Sequence, residues 1–261
     1  SFDSDGFSLG YVSEVNNSSH TYVGWNWLAG GGAGSSNTDG ATNTTSTSAN
    51  VTAGFSISTL PSYAGSTTFG HGLSVAPDLV IMKPVDGADV WLVGSTAVGW
   101  TKGVVLNTAA AESTNTAYWN NTAPDATVVS LGTQGNSYIK VLYCFHSIEG
   151  YSKFGTYTGN GDADGTFIYT GFRPAYYMIR KVNLAPPTGW MIEDRKREKP
   201  FNNYARDLVA NEDYQEQPDT RTAMYSNGFK IIATSNNFNT SGSTYLYIAF
   251  AEYPFKYAPA R

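Results

Sequence analysis

The chain has 261 residues, a net charge of −5, 14% charged, 41% hydrophobic and 14% aromatic residues. That length holds one large or two ordinary domains. The acidic balance argues against a sequence-independent grip on nucleic acid, which needs Lys and Arg to displace counterions. No apolar run approaches the roughly 20 residues of a membrane helix, so neither nucleic acid nor membrane insertion is expected.

Residues 1–28 read as two strands, Gly6 to Val12 and Thr21 to Trp27, around the turn material Asn16 to Ser19. Residues 29–50 are Gly-, Ser- and Thr-rich and carry no large apolar residue before Val51. They read as an extended or flexible linker, because burial cannot offset their ordering entropy. Residues 51–149 form a first unit, with strands expected near 53–59, 66–70, 78–83, 89–94, 102–106, 127–131 and 138–146. Residues 150–254 form a second, with strands near 152–157, 166–170, 175–181, 189–194, 229–233 and 244–252. Residues 255–261 are a tail. Short strands broken by Gly, Pro, Asn and Asp predict an all-β chain of tandem, jelly-roll-like β-sandwich modules. At most a short helical turn is expected, around Ala205 to Ala210.

The two units carry the same register. Gly54-Phe55, Phe69-Gly70, Pro77, the run Leu79 to Met82 and Trp91 return as Lys153-Phe154-Gly155, Phe167, Pro174, the run Tyr176 to Ile179 and Trp190. Phe55 to Phe154 and Trp91 to Trp190 are the same offset, which points to an internal duplication. Asp5-Gly6-Phe7 leading to Thr21–Trp27 also echoes Asn227-Gly228-Phe229 leading to Thr244–Phe250. The runs at 79–82 and 176–179 are apolar on consecutive residues, so both faces of those strands should be covered and each should lie centrally in its sheet. The halves differ most between Asp194 and Asn227, a long aperiodic loop of the kind that has work to do or is held by a partner.

Chemistry-bearing groups are scattered. One cysteine, Cys144, cannot form an internal disulfide and lies in the apolar run Val141 to Phe145, so it reads as a buried hydrophobe. The three histidines lack metal-ligand spacing. Asn160, Asp162 and Asp164 resemble the start of a calcium loop, but Gly171 stands at its twelfth position, so a hairpin turn accounts for them better. Neither a metal nor another cofactor is expected. Glu149, Glu193, Asp194 and Glu252 are the carboxylates a glycoside hydrolase would draw on. Trp100, Tyr118 and Trp119, in Gly- and Asn-rich company, are either stacking platforms for sugar rings or core or inter-subunit packing. Arg195, Lys196 and Arg197 form the basic cluster, a solvated loop charge or a contact for an acidic polymer or neighbouring subunit.

As a set, Asp5–Gly10, Thr52–Ile57, Gly70–Leu73, Glu149–Gly155 with Tyr157–Gly161, Thr170–Ala175, Ser226–Lys230 and Ala249–Glu252 with Pro254–Tyr257 resemble an uncharacterised repeat domain family. That family occurs in virion proteins of tailed bacteriophages, often at the C-terminal end of tail fibres. The resemblance implies a virion protein assembled in the host cytoplasm, an opening at Ser1 that is the tail of an earlier repeat or a swapped hairpin, and a C-terminus at Arg261. It brings no catalytic residues. The expected protein is a non-enzymatic tail-fibre or head/tail-associated fibre component that meets the host surface by multivalent contacts. Its partners would be further copies of itself, a trimer being favoured, other virion proteins and a host surface glycan or protein. A decoration protein that only braces the particle and a host-polysaccharide hydrolase are the alternatives.

Overall fold

The computed structural model describes residues 2–3, 6–183, 188–197, 206–218 and 221–252. Two short strands, β1 (Phe2–Asp3) and β2 (Gly6–Phe7), pair near the N-terminus. The first half supplies β3 (Ser46–Asn50), β4 (Phe55–Leu60), β5 (Thr67–Gly70), β6 (Leu79–Pro84), β7 (Leu92–Ser95), β8 (Lys102–Val105), β9 (Ser113–Thr114), the single helical turn α1 (Thr116–Trp119), β10 (Val128–Leu131) and β11 (Lys140–Phe145). The second supplies β12 (Ser152–Thr158), β13 (Phe167–Tyr169), β14 (Pro174–Lys181), β15 (Met191–Asp194), β16 (Arg206–Val209), β17 (Gln217–Pro218), β18 (Thr222–Tyr225), β19 (Gly228–Ile231) and β20 (Thr244–Ala251).

Each half builds one large and one small antiparallel sheet. The large sheets run β3-β4-β11-β6-β7-β8-β9 and β12-β20-β14-β15-β16-β17, so apart from β3 the strand order is the same. The small sheets are β10-β5 and β13-β19-β18. Register repeats as well. Phe145 stands opposite both Phe55 and Leu79, and Ile248 stands opposite both Phe154 and Met178.

All six of these residues meet in one core. The two large sheets pack face to face and bury Phe55, Leu79 and Phe145 against Phe154, Met178, Ile248 and Phe250. Phe145 lies 5.9 Å from both Phe154 and Phe250, ring centre to ring centre. A second core under the small sheet of the first half holds Phe69, Val80, Met82 and Leu142. A third, under the small sheet of the second half, holds Tyr177, Ile179, Phe229 and Tyr245. The physical reason lies in the doubly apolar strands. Leu79 and Met178 face the shared core while Val80, Met82, Tyr177 and Ile179 face the outer ones, so each large sheet must be covered twice. As predicted, β6 lies between β11 and β7, and β14 between β20 and β15.

Three local expectations are corrected. Of residues 6–12 only Gly6–Phe7 joins a ladder, and Thr21–Trp27 joins none. That segment still alternates, with Val23, Trp25 and Trp27 half-buried and Tyr22, Gly24 and Asn26 exposed. Its indoles close one end of the shared core, Trp25 at 5.4 Å from Tyr176 and Trp27 at 5.2 Å from Phe250, so apolar burial positions it without a strand partner. Residues 29–50 are not merely a linker, because Ser46–Asn50 is the edge strand β3. Polar bonds hold it: Thr47 exchanges backbone bonds with Ser35, and its hydroxyl meets that of Ser58 at 2.9 Å. Finally, Arg206–Val209 is a strand, while the one helical turn among the described residues is Thr116–Trp119, capped by the Asn115 side chain accepting from the Ala117 N–H. The tail 255–261 lies outside the described residues. Among those described, no helix is long and apolar enough to cross a membrane.

Candidate functional site

Most residues singled out in the sequence serve the scaffold. Trp119 is fully buried and Trp100 is 8% exposed; they cross edge to face at 5.5 Å in the core of the first half. Neither can offer a ring to a sugar, so of the two readings of these tryptophans core packing holds and sugar stacking does not. Gly94 makes their packing possible, since a Cβ there would lie 2.5 Å from the Trp119 ring and 2.6 Å from that of Trp100. Tyr118 is half-buried against the same core, with its hydroxyl bonded to Ser113.

The Asn160–Asp164 loop is a latched turn. Asn160 Oδ1 accepts from the Asp162 N–H at 3.0 Å and from Asn239 Nδ2 at 2.9 Å, and Asp162 Oδ1 accepts from the Asp164 N–H at 2.8 Å. Asp164 is ion-paired with Lys230, which holds its carboxyl below the usual range. One oxygen of each of these three side chains is thus engaged from within, and no metal-ligating group of three acidic, His or Cys side chains occurs among the described residues.

The candidate carboxylates are not brought together. Glu193 is 1% exposed, facing the outer core of the second half, where its Oε2 accepts from the Tyr177 and Thr222 hydroxyls. Burial, and next the neighbouring Asp207, push its carboxyl well up. Asp194 is buried and bonded to Arg197 at 2.6 Å. Glu252 is paired with Lys196 at 2.6 Å and Arg195 at 3.6 Å, and the Lys196 bond foremost lowers its carboxyl. Glu149 sits in the exposed turn after β11. Cys144 is fully buried, which pushes its thiol up and leaves it inert.

The basic cluster leads to a site that no single motif announced. Arg197 bonds Asp194, reaches Glu216 at 2.8 Å and lies 6.0 Å from the Trp25 ring. It therefore joins the end of β15, the loop after β16 and the N-terminal segment. Between that loop and the segment opens a cleft of about 1000 Å³, walled by Glu14, His20, Tyr22, Arg197, Asp213, Tyr214, Gln215 and Glu216. Tyr214 is 63% and Tyr22 48% exposed. Tyr22 is nonetheless held in place: its hydroxyl donates to the Ser13 carbonyl at 3.2 Å and accepts from the Asn17 N–H at 2.9 Å. The His20 ring stands edge-on to it at 6.4 Å. Exposed rings beside carboxylate and amide oxygens suit a neutral polyhydroxylated ligand, whose C–H faces meet π surfaces and whose hydroxyls donate to the acids. The surplus of acid over Arg197 disfavours an anionic polymer.

A family model described as a domain of unknown function (DUF7483) matches residues 1–254. The chain belongs to this family. No curated protein and no solved structure matches it. Membership of DUF7483 thus covers nearly the whole chain, and the family's description assigns no chemistry to it. Sequence reasoning missed Glu14, His20, Tyr22, Asp213, Tyr214 and Gln215. The signal that could have found the second group was the long aperiodic stretch from Asp194 to Asn227, which carries Tyr214 in acidic company.

Proposed function

We propose that this DUF7483 chain is a structural component of a tailed-bacteriophage virion, a tail-fibre or head/tail-associated fibre subunit that holds host surface glycan non-covalently. The phage assignment rests on the sequence resemblance. The glycan assignment rests on one observation: two exposed tyrosines and several acids face each other across an open cleft. Each site is weak, and copies on one particle multiply it. The reading is non-enzymatic, because Glu193 and Asp194 lie in the core and Glu252 is tied in ion pairs. The test is binding of the purified chain to a panel of surface polysaccharides. Tyr214→Ala should weaken retention about tenfold, the loss of roughly 1.4 kcal/mol of stacking. Equal retention of both proteins would remove the cleft from the account, and release of reducing ends would favour a hydrolase.

A second reading, a bracing or decoration protein, is favoured by the N-terminal segment. Phe7, Leu9, Tyr11 and Val12 are 46%, 49%, 84% and 52% exposed, an apolar stretch of the kind that a neighbouring protein covers. Imaging of an intact particle with this chain labelled separates the two, since only a distal location serves attachment.

A further inference from the structure

The two large sheets differ at one edge. In the first half Phe55 and Ile57 turn their backbone N–H and C=O groups away from β11, and β3 covers that edge. In the second half the equivalent strand is β12, and among the described residues no strand lies outside it. Its odd residues bond to β20: Tyr151 O accepts from Ala251 and the Gly159 N–H donates to Ser243. The N–H and C=O of Phe154 and Thr156 therefore point outward, and they have no partner among the described residues. The edge stops at both ends. Ser152 exchanges backbone bonds with Ile148, and the Thr158 carbonyl accepts from the Thr166 hydroxyl at 2.8 Å.

Natural sheets blunt a free edge with charge, proline, a cover or brevity. The far edges here are the two-residue strands β9 and β17, and β3 is overlaid by residues 28–35. β12 has seven residues, no proline and one charge, and that charge is turned aside, since Lys153 donates to the Tyr169 carbonyl at 3.0 Å and lies 5.1 Å from its ring.

We propose that this edge pairs with the same edge of a second copy of the chain, antiparallel, about a two-fold axis at Gly155. The pattern is self-complementary. Phe154 of each copy stands opposite Thr156 of the other, which closes four backbone hydrogen bonds and leaves none of the outward groups of these two residues open. The glycines meet at the non-hydrogen-bonded position, where the chains come closest. The two six-stranded sheets become one continuous sheet, and aromatic–Thr pairs lie across the seam.

Sedimentation velocity over a concentration series, with hydrogen exchange at each concentration, tests this. A dimer is expected in which the Phe154 and Thr156 amides gain protection as concentration rises, while those of Lys153 and Gly155 are protected throughout. Thr156→Pro removes an outward N–H that the monomer does not use, and should raise the dimer dissociation constant at least tenfold. If that variant misfolds, the exchange pattern of the unmodified chain still decides. A monomer throughout, or an oligomer of any order in which the Phe154 and Thr156 amides exchange as in the monomer, would overturn the proposal.

Discussion

Truncating Phe145 asks whether the two halves stand or fall together. Its ring is 9% exposed, stacks on Phe55 at 4.6 Å and touches Phe154 and Phe250 across the boundary between the halves. Phe145→Ala removes the transfer energy of a buried ring and leaves a cavity, about 3–5 kcal/mol. Against a whole-domain stability of about 5–15 kcal/mol, that is a large share, and the thermal midpoint should fall on the order of 10 °C. The informative readout is where the loss spreads. Hydrogen exchange in rising urea should show β14 and β20 losing protection together with β4 and β11, because Met178, Ile248 and Phe250 share that core with Phe145. Phe69→Ala, in the outer core of the first half, is the control and should weaken β14 and β20 less. If Phe145→Ala leaves exchange in β14 and β20 as it was, the sheets are independent bodies in contact and the shared-core reasoning fails.

Glu193→Gln should flatten the pH dependence of stability. The folded carboxyl is held protonated by burial and by Asp207, whereas the unfolded one ionises near pH 4.3. The native state of the parent protein therefore loses stability as pH rises above about 4, and the amide, which cannot ionise, should gain on the parent between pH 4 and 7. Parallel denaturation midpoints across that range would contradict the assignment. Asn239→Ala should cost about 1–3 kcal/mol, since the fully buried side chain shares its two amide protons among Asn160 Oδ1, the Asp162 carbonyl and the Ala233 carbonyl, and each lost hydrogen bond costs roughly 0.5–1.5 kcal/mol. Thermal midpoints measured with calcium and with chelator should fall alike, and a rescue by calcium would reinstate the loop as a cation site.

The scaffold was legible where apolar side chains carry the periodicity. Strands at 55–60, 79–84, 140–145, 174–181 and 244–251 emerge within a few residues of their expected places. Some of the missed elements carry no apolar periodicity. Ser46–Asn50 is ordered by hydroxyl and backbone bonds, and Arg206–Val209 has an Arg-Asp opening that reads as loop. The place of Trp100 and Trp119 stayed open for a related reason. Their Gly- and Asn-rich neighbours resemble an exposed loop, yet Gly94 marks the point where two indoles need the volume of a side chain. The cleft was illegible because its walls lie far apart in sequence, Glu14 to Val23 on one side and Leu208 to Glu216 on the other.

The cleft lies where the likeness between the two halves breaks. In the first large sheet β7 ends on neutral Val93, Gly94 and Ser95, and Gly94 backs onto tryptophans. The matching β15 ends on Glu193 and Asp194, both buried. Burying an acid is costly unless something answers its charge. Glu193 is answered by the Tyr177 and Thr222 hydroxyls, and burial pushes its carboxyl up toward the neutral form. Asp194 is answered by Arg197, whose remaining contacts reach outward to Glu216 and Trp25. One buried carboxylate in one half thus recruits a cation, the cation fixes a loop and a terminal segment, and those two walls create the cleft. The first half has no acid at that position, and among the described residues it forms no equivalent arm.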